Sequence, residues 1–101
     1  MSGWIDVADE LPQGAHCVAE ACGIAIALFN VGGEYFAFED ACPHDGGELA
    51  QGETDGEQIV CPRHGARFSM RTGAVLSPPA YQDLRTFPVR TVQGRIQVYT
   101  G

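Results

Sequence analysis

Glycine and proline punctuate this chain so evenly that a helical fold is excluded. Thirteen Gly and six Pro are scattered over 101 residues, and the longest stretch free of both is nine residues, Glu34 to Cys42. Helices in globular proteins average about 11–12 residues. An interior Gly or Pro costs a helix about 1 or 3 kcal/mol respectively. Short strands joined by frequent turns are what the spacing permits, so the expected class is all-β. The chain is one small domain, of a size that often leans on a metal or a disulfide.

The strands can be placed from apolar runs and turn residues. Trp4–Val7 and Cys17–Glu20 read as strands. Ile24–Phe29 is apolar enough to be buried on both faces, and Asn30–Gly33 turns the chain into Glu34–Glu39. At the far end, Thr86–Val92 and Arg95–Tyr99 flank Gln93-Gly94, a two-residue hairpin turn. Pro88 lacks an amide hydrogen and demands an edge or a bulge. Between these outer strands lies a different middle, residues 41–80, rich in Gly, Pro, Cys and His. It reads as a loop-rich insertion held by something other than apolar packing.

Charge narrows the partners. The net charge is −7. Residues 1–62 hold 12 acids and no Lys or Arg, whereas residues 63–101 hold Asp83 against six arginines. Nucleic-acid binding wants a basic face and is disfavoured. The simplest expectation is that the two halves interleave in space and neutralise each other; a dipolar surface that steers a charged partner is the alternative. The longest apolar run is six residues, Ile24 to Phe29, far short of the roughly 20 of a membrane helix. The first residues lack the basic and apolar regions of a secretory signal, so a cytoplasmic setting without a membrane is expected.

Two half-motifs stand in the middle: Cys42-Pro43-His44-Asp45-Gly46-Gly47 and Cys61-Pro62-Arg63-His64-Gly65. In outline this is C-x-H, sixteen residues, then C-x-x-H. Each loop offers a thiolate and an imidazole, both good ligands for borderline-soft metals. A Cys2His2 zinc site is chemically open, although zinc loops usually pair like with like. The mixed loops suit a centre with two distinct metal positions, one iron taking both thiolates and the other both imidazoles.

The segment from Cys42 to Pro79 resembles the cluster-binding part of Rieske proteins, and the whole chain resembles their small, low-potential ferredoxins in length and order. The resemblance implies a β-sandwich-like antiparallel base with a cluster-binding subdomain, residues 41–80, inserted into a single domain spanning 1–101. It implies one [2Fe–2S] cluster, with Cys42 and Cys61 on the inner iron and His44 and His64 on the outer. Val75-Leu76-Ser77-Pro78-Pro79 resembles the proline loop that covers the cluster, and Arg71-Thr72-Gly73 fits before it. High-potential members carry a disulfide between the cluster loops where this chain has Gly47 and Arg63. They also carry hydroxyl donors where it has Ala66 and Phe68. Both departures point to a potential near the low end of the Rieske span.

Function follows from what remains. Two of the three His belong to the cluster motif, leaving only His16, so the mononuclear iron site of a terminal oxygenase cannot be assembled. Ser2, Ser69 and Ser77 have no evident base, and no phosphate-binding loop is present. The resemblance therefore implies a monomeric electron carrier, not an enzyme, running between a flavoprotein NAD(P)H reductase and a terminal, ring-hydroxylating oxygenase of aromatic hydrocarbon catabolism. Docking is expected around His44, Asp45, Arg63, His64 and Ser77–Pro79. Alternatives are a non-catalytic Rieske-type subunit of a nitrite reductase-like complex, or a zinc-stabilised binding module. Cys17 and Cys22 lie outside the motif and are expected as buried free thiols, with a mutual disulfide the other option.

Overall fold

The computed structural model describes residues 3–43 and 46–100, and all of its regular structure is β. Ten strands follow in order: β1 Trp4–Asp9, β2 His16–Ala21, β3 Ile24–Val31, β4 Glu34–Glu39, β5 Thr54–Asp55, β6 Gln58–Val60, β7 Arg67–Ser69, β8 Thr86–Phe87, β9 Val89–Val92 and β10 Arg95–Tyr99. They form three antiparallel sheets, ordered β1-β10-β9, β2-β3-β4-β8 and β5-β6-β7.

The four-stranded sheet is the middle layer, and β3 shows why. Ile26 and Leu28 point to one side, and Ala27 and Phe29 to the other; all four are buried, as the apolar run predicts. Ile26 and Leu28 join Ala37, Phe87, Ile96 and Val98 between this sheet and the β1-β10-β9 sheet. Ala27 and Phe29 join Phe36 and Phe38 beneath the segment that carries both half-motifs. Burying a side chain such as Phe38 or Phe68, each at zero exposure, contributes about 1.5–3 kcal/mol.

Pro88 does more than mark an edge. It divides the expected Thr86–Val92 strand, so β8 pairs with β4 while β9 pairs with β10 in the other sheet. One strand thereby corners between the two layers of the base. The Pro88 carbonyl still accepts the Tyr99 amide at 3.0 Å.

The middle of the chain corrects two expectations. It contains a small sheet, β5-β6-β7, in strands of two and three residues. It also has an apolar core: Leu49, Ala50, Ile59, Ala66, Phe68, Met70, Ala80 and Leu84 are buried together with Cys42 and Cys61. These residues are too dispersed to form a run in the sequence, yet the short strands gather them over Phe36 and Phe38.

The charge halves interleave, as expected. Arg95 pairs with Asp9 at 2.6 Å and Arg67 with Asp55 at 3.2 Å. Arg71 holds Glu34, at the start of β4, and Glu57, between β5 and β6, through four hydrogen bonds of 2.7–2.9 Å. Its guanidinium also lies 5.1 Å from the Phe36 ring centroid. Arg71 thus clamps the small sheet to the base. Its hydrogen bonds hold the Glu57 carboxyl below its ordinary range.

Candidate metal centre

The two half-motifs fold by the same local rule. The Cys42 amide donates to the Gly47 carbonyl at 2.8 Å, and the Gly46 amide donates back to Cys42 at 2.7 Å. The Cys61 amide donates to Ala66 at 2.7 Å, and the Gly65 amide donates back to Cys61 at 3.0 Å. The offsets are identical, five residues forward and four back. Each turn closes through a glycine at positive φ, +74° at Gly46 and +77° at Gly65, a conformation glycine adopts without steric cost. The repeated Cys-Pro-x-x-Gly is the sequence signal for this paired turn. In that register Arg63 matches His44, and His64 matches Asp45.

The amides of Gly46 and Gly65 therefore close their own turns.

The cysteines are brought together and the described histidine is set apart. Cys42 and Cys61 are each 1% exposed and belong to one buried group. His64, three residues after Cys61, is exposed. His44 and Asp45 lie outside the described residues. Among the described residues, no three His, Cys, Asp or Glu side chains gather around a single ion position. The buried thiols of Cys42 and Cys61 and the exposed imidazole of His64 are ligand types that iron and zinc both accept.

Three further elements hold the loops. Asp40 is 7% exposed, and its Oδ1 accepts the amides of Leu49 and Ala50 at 2.7 and 2.8 Å. One carboxylate oxygen thus bridges the ends of the stretch that carries Cys42. Arg63 donates from Nη1 to the Glu48 carbonyl at 2.8 Å, from the second loop to the first. The third is the expected covering loop, which lies along β7. The Leu76 amide donates to Arg67 at 2.8 Å, the Arg67 amide to Ser77 Oγ at 3.1 Å, and Ala80 is buried in the same group as the cysteines.

Ala66 and Phe68, which stand where hydroxyl donors were expected in high-potential relatives, are both at zero exposure. Neither side chain can donate a hydrogen bond to a sulfur. Gly47 and Arg63 are neighbours, and neither offers a thiol.

The remaining candidates are elsewhere. His16 opens β2 and stacks on Phe29, with centroids 4.8 Å apart and planes at 11°. Cys17 and Cys22 are free thiols; burial raises the Cys17 pKa. Cys22 is exposed rather than buried, because it sits in the β2–β3 turn at φ 53°.

The Rieske [2Fe-2S] domain matches residues 3–88. The chain belongs to that family. This Rieske protein is 35% identical over 97 residues to the ferredoxin component of the naphthalene 1,2-dioxygenase/salicylate 5-hydroxylase systems of a Ralstonia species, covering 94% of this chain and 93% of that one. It is 39% identical over 88 residues to the biphenyl dioxygenase ferredoxin subunit of Pseudomonas sp. strain KKS102, covering 86% and 80%. Its fold matches a solved complex of reduced oxygenase and oxidised ferredoxin in carbazole 1,9a-dioxygenase, with a TM-score of 0.88 and 30% identity over 98% of this chain and 94% of that one. The Rieske ferredoxin described here is an electron carrier, and its cofactor is a Rieske-type [2Fe–2S] cluster. No helix among the described residues is long and apolar enough to cross a membrane.

Proposed function

We propose that Cys42 and Cys61 hold the inner iron and His44 and His64 the outer iron. On this reading the protein passes single electrons from a flavoprotein reductase to a terminal, ring-hydroxylating oxygenase, working as a monomer in the cytoplasm. The observation that carries it is the split within the second loop: Cys61 is buried, and His64, three residues on, is exposed. Electron transfer between proteins needs a redox centre that is shielded from solvent on one side and reachable on the other. Cys42 and Cys61, with Leu49, Ala66, Phe68 and Ala80, provide the dry side. His64 provides the open edge.

When bound, the cluster supplies one-electron redox chemistry, formally neutral when oxidised and −1 when reduced. The chain's part is to hold that group rigidly in low dielectric, where the neutral state carries little desolvation cost. It also packs Ala66 and Phe68, which carry no hydroxyl, in the same buried group as the cysteines, and presents an imidazole to a partner. Pro62, Leu76, Pro78 and Tyr81 are exposed on the second loop and the segment that follows β7, Tyr81 at 83%. Exposed apolar side chains beside the exposed charges of Arg63 and Asp83 suit brief docking. The oxygenase partner is supported by the named relatives. The cytoplasmic setting is supported by two thiols left unpaired, Cys17 and Cys22.

The test is a rapid-mixing experiment with chemically reduced protein and an oxidised aromatic-ring dioxygenase. Reduction of the oxygenase in a second-order phase is expected, with slowing when Tyr81 is replaced by Ala. No electron transfer to any such oxygenase would reject the assignment. A colourless preparation containing zinc and no acid-labile sulfide would favour a zinc-stabilised module instead.

A further inference from the structure

We propose that Gly47 and Arg63 form one coupled device, in which the missing side chain at 47 lets the Arg63 guanidinium lie across the first loop and set its distance from the second. Arg63 is thereby a positioning residue for the cluster, alongside any contact it makes with a partner. Each loop closes on itself, Cys42 with Gly47 and Cys61 with Ala66. Those bonds are internal to each loop. The Arg63 Nη1 bond to the Glu48 carbonyl, at 2.8 Å, crosses between them.

Gly47 makes the crossing possible. A Cβ built on Gly47 would lie 2.5 Å from Arg63 Cζ, 2.7 Å from Nη2 and 2.8 Å from Nε. The Cζ, Nη2 and Nε atoms of the guanidinium therefore rest on the face of residue 47. Real Cβ atoms do not approach other atoms that closely, so any side chain there displaces Arg63. Gly47 does not have a positive φ, so alanine meets no backbone strain at this position. The three nearest atoms it would meet all belong to the guanidinium, and Gly47→Ala becomes a steric switch for the tie that leaves the arginine charge in place. A planar fork suits this role better than an ammonium, because it can lie flat on the backbone while donating from one end.

The inference rests on the cluster lying between the two loops, and the experiment separates the two claims. Wild-type protein, Gly47→Ala, Arg63→Ala, the double variant and Arg63→Lys are purified with their clusters. Iron loss to a chelator is followed by bleaching of the visible absorbance, and the line width of the reduced protein's electron paramagnetic resonance spectrum is recorded. Each single alanine variant is expected to lose iron about fivefold faster, the size of one charge-assisted hydrogen bond at an exposed site. The double variant is expected to be no faster than either single one, because both remove the same tie. Arg63→Lys is expected to behave like Arg63→Ala, and both single alanine variants are expected to broaden the resonance alike.

An unchanged rate in Gly47→Ala overturns the proposal. So does a double variant near the product of the singles, about 25-fold on the same scale, or a wild-type rate in Arg63→Lys. If Gly47→Ala assembles no cluster, recovery in the double variant supports the steric coupling and failure there refutes it. A wild-type protein with no cluster would instead sink the ligand assignment itself.

Discussion

Replacing Asp40 by alanine will destabilise this protein more than any change to its exposed charges. The Oδ1 of Asp40 is the acceptor for two amides, those of Leu49 and Ala50, in residues 0% and 3% exposed. Removing the carboxylate strands both donors out of reach of bulk water. An unsatisfied buried donor costs about 1–3 kcal/mol, so the pair costs about 2–6 kcal/mol, with about 3 as a working figure. For a domain of this size each kcal/mol shifts the melting temperature by about 4–8 °C. Asp40→Ala should therefore melt about 12–24 °C lower, and its visible absorbance should bleach with the first structural change. Asp40→Asn keeps an oxygen in the same place and loses only the charge assistance, about 1 kcal/mol. It should melt about 4–8 °C lower by the same conversion. The assay is thermal unfolding followed by far-ultraviolet circular dichroism and by cluster absorbance together. Equal shifts in the two variants, or an Asp40→Ala shift under about 4 °C, would refute the view that one carboxylate oxygen holds this loop.

Three further outcomes follow from other residues. Ala66→Ser places a hydroxyl in the buried group that contains both cysteines; a bond to sulfur worth about 1.5 kcal/mol raises a one-electron midpoint by about 65 mV, and protein-film voltammetry should find the wild type below zero and the variant above the wild type. Arg71→Ala removes the clamp on Glu34 and Glu57 and should lower the melting temperature at neutral pH. Because Glu57 titrates below its ordinary value in the folded protein, that stabilisation is complete above the unfolded carboxyl pKa, about 4.3, and is lost as pH falls through the folded value; the gap between variant and wild type should close in acid. Thiol titration of the cluster-bearing protein should modify Cys22 first and Cys17 slowly, since Cys22 is exposed and the Cys17 pKa is raised by burial.

How much of this was readable in the sequence depends on how local the cause is. Strands with their own apolar run and turn residues, such as Glu34–Glu39 and Arg95–Tyr99, fall where the pattern puts them. Pro88 announced a break, but not that the two halves would join different sheets, because sheet membership is decided by distant partners. The β5-β6-β7 strands stayed hidden because two or three residues are too few for a period to register. Leu49, Ile59, Phe68 and Met70 are spaced over more than twenty positions and converge only in three dimensions. At the site, the C-x-H and C-x-x-H half-motifs stood out as candidate ligands because metal chemistry restricts both residue type and spacing. The repeated Cys-Pro-x-x-Gly was present in the sequence as the sign of a shared turn. Asp40 and the Arg63 tie were not legible, since each acts on a backbone group nine to fifteen residues away.

Pulsed electron paramagnetic resonance on the reduced protein, prepared with nitrogen-15 histidine, tests the central assignment most directly. Two histidine nitrogens coupled to the cluster are expected in the wild type, with the coupling pattern lost or halved in His44→Ala and in His64→Ala and unchanged in His16→Ala. Cluster signals without histidine nitrogen coupling, or with coupling that disappears in His16→Ala, would contradict it.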